Sequence, residues 1–406
     1  MRPDNFTARI NTYIKTPNGA RVSMWVSFFV FWGGTAAFLP YISVYYESVG
    51  LRGGQIGQLN SIPFFISLFS SIIFGFVSDV SRRSQLLLAL CTMGMIVILF
   101  IFPLASTFLA LLPIVLLYSI LLTPCVPMLD QTALLSLENP ANYGKVRVGG
   151  SIGWGIMVLA TGFLIDQLQL GLPVIFYINI AFYMIFLALI VFLPNPRREP
   201  NGESKRASLG KIRDLFKQRG FIMFLLVTIF WAIGESSIGG FLFLHIKNLG
   251  GSSTLMGTAL SVSLIGEILT FLIADKVQAR LGPQKMVLLS FVVMFTWLTG
   301  LSLIRNPGAI PFFQVFGGAG YALMQSGSVA YVNKRAPREI GTTAQSIRSG
   351  LFSGFGTGTG AIISGLIYES AGSVVLFRSM SFVVLTGFLL GYVSLIRKNN
   401  KSNNIF

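Results

Sequence analysis

The chain has 406 residues, of which 53% are hydrophobic and only 11% charged, whereas a soluble domain is about 25% charged. With a mean hydropathy of +0.73, and apolar stretches of about 20 residues recurring from Val22 onward, this composition excludes soluble, secreted and nucleic-acid-binding readings. The formal net charge of +16 then has to be explained by where the charges sit.

The first 21 residues are polar and basic, with Arg2, Arg9, Lys15 and Arg21. No short apolar region with a small-residue cleavage site follows, so the first apolar segment reads as an uncleaved span. Hydropathy and helix breakers place spans at 22–46, 54–78, 84–103, 108–135, 144–168, 171–193, 220–246, 252–274, 284–304, 309–333, 342–368 and 372–396. Residues 194–219 contain Pro194, Pro196, Pro200 and eight cationic side chains, and read as a linker dividing six spans from six. Residues 397–406 form a tail. Cys91 and Cys125 lie in apolar segments at no metal-ligand spacing and read as small core residues. Neither a metal nor a cofactor is expected. Without a P-loop or a nucleophile motif, neither is an enzyme.

The halves 22–193 and 220–396 resemble one another. Gly50 and Gly57 recur as Gly250 and Gly257, and the stretch from Gly162 to Asp166 recurs as Gly365 to Glu369. The expected fold is therefore an all-α membrane protein with 12 transmembrane helices in two pseudo-symmetric six-helix bundles. Lys and Arg set the orientation. With the N-terminus inside, 25 of them fall on the cytoplasmic side and only Arg52, Lys247 and Arg305 outside. Both termini are expected in the cytoplasm, in an inner or plasma membrane. The positive charge then reads as an insertion signal with some attraction to anionic lipid.

Charges inside the spans are costly and point to function. Arg147 lies about 5 Å into span 5 and Asp130 about 8 Å from the matching end of span 4, at 1.5 Å per residue. Trp154 is two turns beyond Arg147 on the same face. One reading is a substrate grip, in which Arg147 donates a fork of hydrogen bonds shared with Asp130. The other is a structural ion pair with Trp154 as packing. In the second half, Glu267 and Arg348 match in depth, and an ion pair between them is expected. Making and breaking that pair would let Glu267 take and release a proton; a permanent strut is the other reading. Glu235 is a second candidate for proton coupling, or a carboxylate bonded to Ser236 or Ser237. His245 reads as an interfacial residue. The glycine-rich stretches of spans 5 and 11 read either as sliding faces or as tight packing.

After span 2, Gly75 is followed by Asp79 and the basic pair Arg82 and Arg83. This resembles the loop motif of the major facilitator superfamily, with Val80 where that motif has Arg and without its second Gly. A weaker copy after span 8 has Asp275, Lys276, Gly282 and Lys285. The run Tyr143, Gly144, Lys145, Arg147, then Gly150 and Gly153, resembles the branch holding lactose permease and the phenylpropionate permeases. Pro127 with Asp130, and Gly266 with Glu267, match that branch too. The superfamily resemblance covers nearly all of residues 22–396. It implies alternating access by rocking halves and a sugar face stacked on Trp154. Asp79 at a helix end with Arg82 and Arg83, and Asp275 in the weaker copy, read as gating groups that hold the cytoplasmic side shut, or as a solvated charge cluster. One departure stands out. Lactose permease carries a His and a Glu in its tenth helix, and residues 311–325 offer no ionisable group but Tyr321.

The expected function is proton-coupled symport of a small polar solute, sugar-like, by a monomer whose partners are that solute, protons and the bilayer. Aromatic carboxylates and nucleosides also fit one Arg, one Asp and one Trp. Proton-driven export, uncoupled uniport and a non-transporting receptor stay open.

Overall fold

The computed structural model describes residues 16–81, 84–137, 142–193, 209–337 and 340–397, and it is all-α over them. Helix α1, Pro17–Phe38, starts where Thr16 Oγ1 accepts the Gly19 N–H at 3.1 Å. The first expected span is not one continuous helix. Pro40 cannot donate an intrahelical bond, α1 stops at Phe38, and α2 resumes over Ile42–Ser48. Helices α3 (Gly53–Ser81), α4 (Ser84–Ile101), α5 (Phe108–Ser136), α6 (Tyr143–Gln167) and α7 (Val174–Ile190) follow. Helix α5 stays continuous through Pro113, Pro124 and Pro127, a load that helices packed among neighbours in a membrane tolerate.

The end of the expected linker is itself helical, as α8, Leu209–Lys217. A bend at Gln218, with ψ 100°, leads into α9, Arg219–Asn248. Helix α10, Ser253–Leu303, is broken at Gly282, whose φ of 75° is followed by Pro283. Then come α11 (Ile310–Arg335) and α12 (Gly341–Ser349). A wider π-helical stretch, Gly350–Gly356, joins α12 to α13, Thr357–Gly391, which is broken at Gly372. Among the described residues seven helical stretches are long and apolar enough to cross a bilayer. Large apolar side chains such as Leu109 and Phe312, 78% and 77% exposed, belong against lipid.

The internal repeat has a backbone basis. Gly50 and Gly250 both hold positive φ, 89° and 80°. Each follows a helix whose last carbonyls take the next N–H groups: Gly50 and Leu51 donate to Glu47 and Tyr46, and Gly250 and Gly251 to Lys247 and Ile246. Gln169 and Gly372, each three residues past the repeated Asp166 and Glu369, are again left-handed, with φ of 49° and 78°.

The chain groups into two compact units, one within 1–51 and 66–201 and the other within 52–65 and 202–406. The first half of α3 thus belongs by packing to the second unit. Its Gly57 lies against the Ala361 carbonyl and Gly365 of α13, leaving no room for a Cβ. The Gly54 N–H donates to Glu369 Oε2 at 2.7 Å.

In the first unit α6 lies on α1 through Gly149 and Gly153, four residues apart. A Cβ at Gly149 would sit 2.5 Å from the Trp25 carbonyl, and one at Gly153 would overlap the Phe29 carbonyl. In the second unit Gly356, at the end of the π-helical stretch, and Gly360 of α13 sit on Ala232 and Ile233 of α9. These glycines make tight helix contacts. Gly153→Val is expected to push α1 from α6, at about 1–3 kcal/mol of overpacking. The check is the melting temperature of the purified protein in detergent. An unchanged value would contradict this contact.

Candidate functional site

The first unit gathers its polar side chains around Arg147. Asp130 faces it from α5, with Arg147 Nε 3.8 Å from Asp130 Oδ1. Tyr143, one turn before Arg147 on α6, donates from its hydroxyl to the same Oδ1 at 2.8 Å. The side chains of Arg147 and Asp130 are 31% and 32% accessible, so the pair is only partly buried. The guanidinium lies over two rings of α1, 5.2 Å from the centre of Phe28 and 4.7 Å from that of Trp32. Such contacts contribute about 0.5–2 kcal/mol each and fix the plane of the fork. Phe28 and Trp32 are four residues apart, so both rings project from one helix face.

Trp154 reaches this group through Trp32, edge to face at 5.9 Å. The Trp32 indole N–H is buried and has no acceptor among the described residues. A Cβ at Gly150 would lie 2.6 Å from both Arg147 Nη1 and the Trp32 ring. Gly150→Val is therefore expected to displace the guanidinium from its ring and lower solute affinity without breaking α6. Circular dichroism beside a binding titration checks this. Full affinity in the variant would sink the packing argument.

The sequence reading brought together Asp130, Arg147 and Trp154, and the structure places all three in one cluster. It missed the parts played by Tyr143, Phe28, Trp32 and Gly150. Tyr143 and Gly150 stood in the run that drew attention to Arg147. Phe28 and Trp32 gave only an i, i+4 aromatic pair in a chain with 36 Phe and 5 Trp.

The second unit holds a separate polar group. Glu235 on α9 and Glu267 on α10 lie within electrostatic reach of each other. Tyr321 on α11 lies within electrostatic reach of both carboxyls, of Arg348 and of Gln325. Arg348 is only 8% exposed. In place of the expected pairing with Glu267, its guanidinium donates to neutral groups: Nε to Gln345 Oε1 at 3.1 Å, and Nη1 to Gln325 Oε1 at 3.3 Å and Ser328 Oγ at 3.1 Å. Two amides and a hydroxyl, from its own helix and from α11, thus accept from Nε and Nη1. The Ser236 and Ser237 hydroxyls donate to the Ile233 and Gly234 carbonyls, each at 2.7 Å, which takes away the donors expected for Glu235. Gly318 brings the α11 backbone against Ser263 and the Glu267 N–H.

His245 is a buried strut rather than an interfacial residue. Its Nε2 donates to the Leu301 carbonyl at 3.1 Å and its Nδ1 accepts from Ser373 at 2.8 Å, the tautomer following from the carbonyl acceptor. His245→Ala leaves both partners unpaired beside a cavity, at roughly 2–4 kcal/mol. A clear drop in melting temperature with intact solute binding is expected; a loss of binding without that drop would refute a purely structural role.

Of the gating candidates, Asp275 is an exposed side chain on α10. Asp79 falls within α3 with its side chain undescribed, and Arg82 and Arg83 lie outside the described residues. Among the described residues no group of three or more His, Cys, Asp or Glu is arranged to hold a metal ion.

A model of the MFS_1 like family matches residues 22–379. The chain belongs to the MFS_1 like family. Maltose permease of Geobacillus stearothermophilus is 27% identical to it over 367 residues, covering 88% of this chain and 90% of the permease. The probable 3-phenylpropionic acid transporter of Escherichia coli (strain K12) is 24% identical over 375 residues, covering 90% and 95%. The crystal structure of the nucleoside transporter NupG superposes with a TM-score of 0.81 at 17% identity, covering 93% of this chain and 98% of that one, a likeness of fold. This MFS_1 like chain is thus a multi-pass membrane protein from a family of major facilitator transporters, and the family implies a small-molecule substrate. That agrees with the resemblance read from the run around Arg147.

Proposed function

We propose that the chain is a secondary active transporter that takes up a small polar, sugar-like solute by proton-coupled symport and alternating access. The observation that carries this reading is the Asp130–Arg147–Tyr143 group lying beside the Phe28, Trp32 and Trp154 rings. A sugar offers hydroxyls that both donate and accept, matching one carboxylate and one guanidinium, and an apolar ring face that matches an indole. One Asp against one Arg balances the site for a neutral solute, whereas a carboxylate would compete with Asp130 for Arg147. The kinship with a maltose permease supports the sugar-like class. A nucleoside is the second reading, favoured by the number of aromatic rings at the site.

Glu267 and Glu235, with Tyr321 and Arg348 near them, are proposed as the coupling groups, and Asp79, Arg82, Arg83 and Asp275 as the gating groups. The proposed topology has twelve crossings in two halves, with both termini cytoplasmic in an inner or plasma membrane, and a monomer as the working unit. The breaks at Gly282 and Gly372 support two crossings each for α10 and α13: at about 1.5 Å per residue either helix, if straight, would far exceed a bilayer core of about 30 Å.

A thermal-shift screen of purified protein against oligosaccharides, aromatic carboxylates and nucleosides tests the substrate class. Stabilisation by a sugar, lost in Arg147→Ala, is expected. Stabilisation by an aromatic carboxylate alone would overturn this choice.

A further inference from the structure

We infer that an anionic phospholipid docks at the cavity where α1 and α6 begin, with its hydrocarbon against the apolar wall and its phosphate at the basic rim. The cavity is about 190 Å³ and is lined by Arg21, Val22, Trp25, Asn142, Lys145 and Val146. None of these residues belongs to the proposed solute site. Arg21 projects from the first turns of α1 and Lys145 from the first turn of α6. Among the described residues neither cation has a hydrogen bond or an ion pair. The inner surface of the cavity is almost wholly apolar, so both cations border it with their aliphatic stems, and an anion at its rim is attracted to both charges.

The rest of the lining says which anion fits. Val22 is 52% exposed, and Trp25 is half-buried, stacked on Phe29 at 5.6 Å and packed against Gly149. An apolar wall beside two cations suits a molecule with a phosphate at one end and hydrocarbon at the other. A free phosphate gains nothing from Val22 and Trp25. A zwitterionic lipid brings its own cation and gains less from Arg21 and Lys145. Position agrees as well: both cations lie at helix ends, where a membrane-spanning helix meets the headgroups, and Trp is enriched at that level. Basic pockets between helices at such ends suit anionic headgroups.

A lipid phosphate bridging Arg21 and Lys145 would clamp α1 to α6 at their shared end. The same two helices carry Phe28, Trp32 and Arg147 within two turns of the cavity. Lipid occupancy therefore sets the spacing of the helix pair that builds the solute site.

The test uses the full chain in detergent, with phosphatidylglycerol, phosphatidylcholine and inorganic phosphate as probes. Wild type should retain phosphatidylglycerol in preference to phosphatidylcholine, and inorganic phosphate at equal concentration should not compete. In the doubly substituted Arg21→Gln, Lys145→Gln protein, affinity for phosphatidylglycerol should fall about tenfold or more, each cation near an anionic headgroup contributing about fivefold. The charge-preserving pair Arg21→Lys, Lys145→Arg should keep it. A second measurement does not depend on folding of the charge variants. Brominated phosphatidylglycerol should quench tryptophan fluorescence more than brominated phosphatidylcholine, and Trp25→Phe should remove that excess. Equal quenching by the two lipids, unchanged affinity in the double Gln protein, or competition by inorganic phosphate would each overturn the inference.

Discussion

Replacing Arg147 with Ala is expected to weaken solute binding by about a hundredfold, a loss of roughly 2–3 kcal/mol. The side chain holds three relationships at once: its charge faces Asp130, and its plane lies over Phe28 and Trp32. Removing it takes away the donor fork and leaves Asp130 with Tyr143 alone. Arg147→Lys should not restore affinity. A Lys ammonium keeps the charge but loses the planar fork and the stacking face. Asp130→Asn should be milder than Arg147→Ala, because an amide oxygen still accepts from Tyr143 while the charge opposite Arg147 is lost. Isothermal titration of the four proteins with the solute found by thermal shift checks the series. Lys restoring full affinity would show that only charge matters there, and full binding in both Arg147→Ala and Asp130→Asn would remove the site altogether.

The second large effect is expected at Glu267. Glu267→Gln keeps the size of the side chain and removes its capacity to exchange a proton. If Glu267 couples transport, the variant should lose accumulation of solute against its gradient almost completely. It should still exchange labelled for unlabelled solute across the membrane, because exchange needs binding and reorientation but no net proton movement. Glu235→Gln should show the same split if the two carboxyls act together, and Tyr321→Phe a partial one, since Tyr321 reaches both. Loss of exchange along with accumulation in Glu267→Gln would instead mark Glu267 as part of the packing where α11 crosses α10 at Gly318.

The all-helical character of the chain was legible because apolar runs of spanning length leave few alternatives. The candidate site was legible as far as charge made it so. Asp130 and Arg147 stand out because ionised groups are rare in apolar helices, and counting residues from the helix ends put them at one depth. What lay hidden was the neutral part of each group. Phe28 and Trp32 are aromatic residues in a chain full of them, and only the rotation of α1 against α6, set by Gly149 and Gly153, turns them toward Arg147. Arg348 was matched with a carboxylate because charge is the signal a sequence offers most loudly. Its observed partners are Gln325, Ser328 and Gln345, and the distance of the first two from Arg348 depends on how α11 and α12 meet. Tyr321 was visible only as the lone ionisable group in its stretch, and its place among Glu235, Glu267 and Arg348 depends on the same packing. The break between α1 and α2 was written in Pro40, but hydropathy alone ran across it.

The most direct test of proton-coupled transport is solute accumulation in proteoliposomes under an imposed pH gradient, acid outside, with a protonophore control. Wild type is expected to concentrate the solute inside and to lose that ability when the protonophore collapses the gradient. Equal solute concentrations on both sides, with or without the gradient, would contradict the account and leave a carrier that moves its solute without protons.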